Sequence, residues 1–354
     1  MRRNIGPALA GTITPNRQPG AAARRSLPER RRMAAASARS TPRISVLIPV
    51  RNGGDYVDAA IASMRRQTYR DLEIVVVDDG SSDRTAALLA RHAAEDGRIR
   101  VLSAAGAGIV DALNQALAEA RGDLVARMDA DDLSHPDRLA RQVAEMDARP
   151  DLVLLGAGAV AIDARGRIGA PVTVEADPAR LVELLRVENP FLHPTVVMRR
   201  LAVEAAGGYR RQFALAEDYD LWTRMALQGV VANIPDALLG LRRHPGQSSR
   251  RHRMEQRAVH ALARLLAYGR PVDMPSLSAL PTPLAAVTAY LSAMGSPGPE
   301  FSQNERRDIE KMLRWCVAAG TLSVERRREI AAALRGGSTF LSALSLEWRL
   351  RLAR

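Results

Sequence analysis

The chain contains a single cysteine, Cys316, and a single lysine, Lys311, among 354 residues. One cysteine excludes an internal disulfide framework and a cysteine-based zinc site, and it makes a reducing compartment the expectation. A P-loop nucleotidase needs a lysine directly after its second glycine, and no such pattern surrounds Lys311. No apolar run approaches the ~20 residues required to span a bilayer. The longest, 152–162, is interrupted by Gly156 and Gly158.

Lysine is scarce, yet the net charge is +12. Arginine supplies the excess, and most of it sits at one end. Residues 1–43 hold ten arginines against Glu29, a charge of +9, which leaves +3 for everything else. The body therefore lacks the basic surface that would mark it as a nucleic-acid binder. Rich in Arg, Ala, Pro and Gly, the leading segment 1–42 cannot bury enough apolar area to offset its own ordering, and we expect it to be disordered. It has no uninterrupted apolar core of the signal-peptide kind. A solvated extension, a nucleic-acid or acidic-lipid anchor and a start of translation at Met33 are the alternative readings.

From Ile44 onward the pattern changes. Ile44-Ser45-Val46-Leu47-Ile48-Pro49-Val50 has the length and composition of a buried strand, Arg51-Asn52-Gly53-Gly54 punctuates it, and helical spacing follows over 56–66. A second β-branched run, 72–77, ends in Asp78-Asp79-Gly80-Ser81-Ser82 and is followed by a helix over 84–94. A strand at 98–103, a helix at 110–120 and a strand at 123–126 continue the alternation, and Pro136 suits the first turn of a helix reaching 148. Alternating strands and helices predict an α/β fold with a mostly parallel central sheet. Ligands of such sheets bind off the carboxyl ends of the strands, where the Arg51, Asp79 and Asp129 loops all fall.

The densest chemistry is the run Arg127-Met128-Asp129-Ala130-Asp131-Asp132. In extended geometry Asp129 and Asp131 point to the same side. Like charges held that close call for a cation, and carboxylates suit Mg²⁺ or Mn²⁺ carrying a substrate phosphate. An acidic loop that merely caps the next helix is the plain alternative. An EF-hand fails, because Leu133 and Ser134 stand where a ligand and the turn glycine belong. Gly156-Ala157-Gly158-Ala159-Val160-Ala161 matches a dinucleotide fingerprint, but Gly166, Gly169 and Pro171 interrupt the helix it requires. A strand and hairpin are expected there instead, and an NAD-dependent oxidoreductase becomes a remote alternative.

Four segments taken in order carry a resemblance: Ser45-Val46-Leu47-Ile48-Pro49-Val50-Arg51-Asn52, Val77-Asp78-Asp79-Gly80-Ser81, Met128-Asp129-Ala130-Asp131-Asp132, and Ala216-Glu217-Asp218-Tyr219-Asp220-Leu221-Trp222. Together with Gly207-Gly208-Tyr209 they resemble the motifs of family 2 glycosyltransferases, over residues 43–250. The resemblance implies a GT-A fold and an inverting, metal-dependent transfer of sugar from a nucleotide-diphosphate donor, most simply a UDP-sugar, to a hydroxyl of a saccharide or lipid-linked acceptor. It implies that Pro49, Arg51 and Asp79 border the base, with Arg51 standing where many relatives have an aromatic residue. Asp129 would contact ribose or the metal shell, Asp131 would ligate the metal, and Asp132 would buttress the loop. Asp218 matches the catalytic base, with Glu217 beside it. His244 would close over the diphosphate or ligate the metal, and His193 would lie on the acceptor side. A non-catalytic nucleotide-sugar-binding protein of the same fold is the alternative, though it gives no reason to keep Asp129, Asp131 and Asp218 together.

Residues 251–354 are expected to form a helical extension: a helix over 250–266, a linker marked by Pro271, Pro275, Pro281 and Pro283, and helices over 304–318, 323–334 and 340–352. The last is amphipathic and basic, suited to packing on the catalytic domain, to lying on an anionic membrane, or to dimerisation. The bias to arginine and alanine suggests a GC-rich bacterial genome. In that setting the expectation is a cytoplasmic enzyme, peripheral on the inner face of the membrane, that helps build surface polysaccharide.

Overall fold

A computed structural model describes residues 41–247, 252–269, 272–294 and 301–335. The basic tail and the helix expected over 340–352 lie outside these described residues.

The first half follows the alternation of its sequence. Strands β1 (Ile44–Val50), β2 (Leu72–Asp78), β3 (Ile99–Ser103) and β4 (Leu124–Arg127) are separated by helices α1 (Val57–Arg65), α2 (Thr85–Glu95) and α3 (Ile109–Glu119). All four strands are parallel, in the order β3-β2-β1-β4. Every residue of β1 and β2 is buried, as expected of a strand covered on both faces. Alternate side chains feed two cores. Leu47, Val75 and Val125 pack on one side of the sheet, and Val46, Ile48, Ile74 and Val76 on the other. Helix α1 buries Val57, Ala60, Ile61 and Met64, the three-and-four spacing of a one-sided helix. The amino ends of β1 and β4 approach so closely that a Cβ on Gly122 would stand 2.8 Å from the Ile44 backbone, so the position admits only glycine.

Beyond β4 the sheet turns mixed. It runs on through β8 (Val197–Arg199), β6 (Leu152–Ile162), β9 (Val230–Arg242) and β5 (Leu133–Ser134), with β7 (Ile168–Val172) paired to β6 as the expected hairpin. The pairs β4/β8 and β6/β8 are antiparallel, whereas β6/β9 is parallel with register shifts. Helices α4 (Arg138–Ala148), α5 (Pro178–Leu185), α6 (Arg200–Ala205) and α7 (Glu217–Met225) complete this half. Helix α4 starts two residues later than Pro136 suggested, with Asp137 at its N-cap.

Helices α8 (Arg253–Tyr268), α9 (Pro283–Ala293), α10 (Gln303–Ala319) and α11 (Val324–Arg335) follow. Helix α9 corrects the sequence reading, which took its prolines for a linker. Pro283 instead occupies the first helical turn, where a missing N–H costs nothing, and the Thr282 side chain accepts from the Ala285 amide at 3.2 Å. Helices α8, α9 and α10 share one apolar core with Trp222 and Met225 of α7, and the His260 ring of α8 stacks on Tyr219 at 3.8 Å. Among the described residues no helix is long and apolar enough to cross a membrane.

Candidate active site

Strand order reverses around β1, which has β2 on one side and β4 on the other, so a crevice opens at their carboxyl ends. The loops leaving β1 and β2 are tied together there. The Asn52 amide donates to Ser81 Oγ at 2.8 Å, and Asn52 Oδ1 accepts from the Ser82 amide at 2.8 Å. Asn52 adopts φ 52°, a left-handed conformation that asparagine tolerates better than most residues.

Asp79, just past the end of β2, is buried. Its Oδ2 accepts from the Gly108 amide at 2.9 Å, whereas its Oδ1 is buried with no hydrogen-bond partner. Gly108 can present that amide because it holds φ 99°, a region costly for residues with a Cβ. A buried acceptor left open in this way retains the capacity to accept one hydrogen bond. Pro49 is buried within β1, and Arg51 is exposed on the loop behind it, its Nη1 3.8 Å from where a Cβ on Gly106 would stand.

The acidic run differs from the extended arrangement read from the sequence. Strand β4 ends at Arg127, and residues 129–131 form a turn, so alternation along a strand is not what brings the carboxylates together. They converge all the same: ligand oxygens of Asp129, Asp131 and Asp132 lie within 4.8 Å of one another. Asp129 pairs with the buried Arg127 guanidinium. Asp131 Oδ2 meets His244 Nε2 at 2.9 Å, and the His244 ring lies 4.9 Å from the ring of Tyr56. Asp132 is buried; its Oδ1 accepts from the Arg242 amide at 2.7 Å and its Oδ2 has no partner. Burial, with Asp129 close by, raises the Asp131 carboxyl above its ordinary range and raises Asp132 well above. A divalent cation relieves this kind of crowding.

A cavity of about 320 Å³ joins this turn to the first turn of α7. Arg127, Asp129, Asp131, His193, Glu217 and Asp218 line it with Ile109, Leu215, Gln247, His252 and Gln256. Leu215 holds φ 84°, an outlier for a bulky side chain, at the bend that delivers the chain into α7. Asp218 Oδ2 accepts from Asn189 Nδ2 at 2.7 Å and Oδ1 from the Tyr219 amide at 2.7 Å. No side chain caps α7 at Ala216, so Asp218 is not its N-cap. Burial raises the Asp218 carboxyl, and burial next to Asp218 pushes Glu217 up to about 7. Glu217 Oε2 is buried without a partner. His193 Nε2 lies 3.1 Å from the Tyr209 hydroxyl; burial, with Arg127 nearby, holds its pKa well below the usual range, so the ring is neutral.

Of the residues singled out from sequence, Asp129, Asp131, Glu217, Asp218 and His193 line this cavity, His244 touches it through Asp131, and Pro49, Arg51 and Asp79 lie apart from it at the β1 and β2 ends. Sequence reasoning missed Asn189, His252 and Gln256, and it gave no role to Gln247, three residues after His244 in the same loop. It also gave Arg127 no role, although its place inside the acidic run was a usable signal.

Residues 45–200 match the family described as Glycosyl transferase family 2. The amylovoran biosynthesis glycosyltransferase AmsE of Erwinia amylovora is 34% identical over 202 residues, which cover 56% of this chain and 75% of AmsE. TarS of S. aureus, solved in complex with UDP-GlcNAc, superposes with a TM-score of 0.54 at 18% identity over 82% of this chain and 79% of its own. The mannosyltransferase PcManGT from Pyrobaculum calidifontis, solved with GDP-Man and Mn²⁺, gives a TM-score of 0.50 at 22% identity over 88% of this chain and 83% of its own. These matches bear out the resemblance drawn from the four segments. The fold is GT-A, and the chain belongs to family 2 of the glycosyltransferases, enzymes of glycosyl transfer.

Proposed function

We propose that the chain transfers a sugar from a nucleotide-diphosphate donor to a hydroxyl of a saccharide or lipid-linked acceptor, with inversion, using Asp218 as general base. One observation carries this reading: the carboxylates of Asp129 and Asp131 and that of Asp218 line a single cavity of about 320 Å³, with room for a sugar between them. The open Oδ1 of Asp79 supports recognition of a ring N–H, which uracil offers, with Arg51 free to stack on the base. The donors named for TarS and PcManGT, UDP-GlcNAc and GDP-Man, make the uridine and guanosine series the two to compare.

The crowded carboxylates of Asp129, Asp131 and Asp132, one oxygen of them buried and unpaired, fit a hard divalent cation such as Mn²⁺ or Mg²⁺. Asp131 and His244 would hold it, with Asp129 toward the ribose. When bound, such an ion supplies Lewis-acid stabilisation of the departing diphosphate. The protein's own part lies across the cavity. Asp218, oriented by Asn189, accepts the proton of the acceptor hydroxyl as that oxygen attacks the anomeric carbon from the face opposite the leaving group. Neutral His193 and the side chains of Gln247 and Gln256 offer hydrogen bonds suited to sugar hydroxyls. Helix α8 thus contributes to the acceptor side, which gives the extension after residue 250 a place in function. The cellular setting we propose is surface-polysaccharide synthesis at the cytoplasmic face of the membrane.

A second reading has its own observation. Glu217 Oε2 is buried without a partner, and the carboxyl is pushed up to about 7, a suitable poise for a base near neutrality. The pair Asp218→Asn and Glu217→Gln decides between them, assayed for transfer from UDP- and GDP-sugars with Mn²⁺. The expected result is that Asp218→Asn binds nucleotide and melts as wild type does but transfers at least about a hundredfold more slowly, while Glu217→Gln retains transfer. The opposite pattern moves the base to Glu217. Full transfer in both variants removes the acceptor-side assignment.

A further inference from the structure

At the amino ends of the strands, a helix length from the active site, four arginines gather around a second cavity. It has a volume of about 370 Å³ and is lined by Arg65, Arg66, Arg70 and Arg98 together with Asp96 and Ala62. The topology accounts for the gathering. Helix α1 runs back from the carboxyl end of β1 and delivers Arg65 and Arg66 at its own end, Arg70 lies in the turn into β2, and Arg98 directly precedes β3. Strand β2 has seven residues, so the cavity lies roughly 20 Å from the Asp79 loop at the other end of the same strand.

The cluster is only partly neutralised. Asp96 takes Arg98 in a bidentate grip, Nε to Oδ1 at 3.0 Å and Nη2 to Oδ2 at 2.8 Å, and stands 3.5 Å from Arg65 Nε. These hydrogen bonds from Arg98 hold the Asp96 carboxyl down at about 2, so it remains charged. Arg65 is further paired with Glu95 at 2.7 Å and touches His92 Nδ1 at 3.0 Å. Arg98 Nη2 and Arg70 Nη1 also reach the Arg65 carbonyl, at 3.1 and 3.4 Å. Two carboxylates thus face four guanidiniums. Among the described residues Arg66 and Arg70 are both exposed and form no salt bridge. The grip of Asp96 on Nε and Nη2 fixes the Arg98 plane and leaves its third nitrogen, Nη1, buried with no hydrogen-bond partner. Holding the ends of α1 and β3 together accounts for Arg98 Nη2 and Asp96. It does not account for a buried unpaired Nη1 beside two guanidiniums that have no carboxylate partner at a concave surface.

We infer that this cavity is a binding site for a phosphoryl anion, with the Arg98 edge at its floor and Arg66 and Arg70 closing over the remaining oxygens. Planar guanidiniums suit tetrahedral oxyanions, and several of them converging supply both the charge and the directed N–H groups. The anion could be free phosphate or a phosphomonoester headgroup on a lipid, and the two sources are separable by experiment. The reading is independent of the catalytic assignment.

The test uses the full chain and an Arg66→Ala/Arg70→Ala double variant, whose replaced side chains are exposed and lie outside the catalytic machinery. Inorganic phosphate is titrated by calorimetry at constant ionic strength, with chelator present to keep metal from the acidic cavity. In parallel, co-sedimentation is measured with vesicles containing phosphatidic acid and with vesicles of phosphatidylcholine alone. Saturable binding of phosphate that weakens about tenfold or more in the double variant assigns a free-anion site. Co-sedimentation with phosphatidic acid vesicles that is lost in the variant assigns a lipid headgroup. The proposal is overturned if neither probe binds, or if the double variant binds both as wild type does. UDP-sugar turnover with Mn²⁺ should be unchanged in the variant, which certifies its fold.

Discussion

The two sides of the candidate site are built by different means. At the strand ends, Asp79 and Asp129 sit on short loops that leave parallel strands, held by backbone contacts such as Gly108 to Asp79 and by Arg127 against Asp129. Across the cavity, Glu217 and Asp218 occupy the first turn of a helix buried under α8, and burial raises both carboxyls. One half spends its charges on a crowded turn that a cation can relieve. The other keeps its charges in an apolar setting where proton affinity increases. Strand-end loops of this kind need only local sequence, whereas the helical side needs elements brought from across the chain.

The comparison breaks most visibly at Asp131. Replacing it with alanine removes the carboxylate shared with His244, and we expect transfer to fall at least about a hundredfold, roughly 3 kcal/mol of barrier. Mn²⁺-dependent stabilisation by UDP in a thermal-shift titration should vanish with it. Wild-type turnover in this variant would refute the donor-side assignment.

Glu217 sharpens the other half through pH. Its carboxyl titrates near 4.5 when the chain is unfolded and about 7 when folded. Between those values the folded state retains a proton that the unfolded state has released. Rising pH therefore lowers stability across the window, and the loss is complete above 7. For Glu217→Gln, chemical denaturation at pH 8 should show a gain of roughly 3 kcal/mol over wild type, with no difference below pH 4.5. A flat wild-type profile from pH 5 to 8 would mean the side chain is hydrated rather than buried.

Asn189 gives the smallest expected effect. It donates to Asp218 Oδ2 and stabilises the ionised form. Asn189→Ala should move the acid limb of the rate profile to higher pH by about one unit and slow transfer about tenfold, consistent with about 1.5 kcal/mol for one hydrogen bond to a charged group. An unshifted limb would show that Asn189 serves only to position the loop before the short 3-10 turn His193–Thr195.

What could be read in advance follows the same division. Strands β1 and β2 are covered on both faces, so their apolar runs stand out between turn residues, and the motif loops at their ends are contiguous in sequence. Strand β9 gives no such signal, because Asn233, Pro235, Asp236 and Gly240 interrupt it and its pairing with β6 shifts register. Helix α9 was hidden by Pro281 and Pro283, since a proline can mark either a helix start or a loop. Asn189, Gln247 and Gln256 reach the cavity only through tertiary packing, and no local spacing ties them to Asp218. The turn at 129–131 was misread as extended because alternating aspartates look alike in either conformation.

Arg242 links distant parts of this design. Its amide donates to Asp132, its Nε to the Asp131 carbonyl at 2.6 Å, its Nη1 to the carbonyls of Asp163 and Ala164 at 2.9 and 3.1 Å, and its guanidinium lies over the Tyr56 ring. One side chain at the end of β9 thus works as a keystone, locking the acidic turn, the β6–β7 hairpin and the entrance to α1 into a common frame. Its neighbour two positions on, His244, inherits its aim at Asp131 from that frame. Drift in the β9 register would therefore misalign three loops at once, which makes this strand end an intolerant hinge for insertions despite its place at the rim.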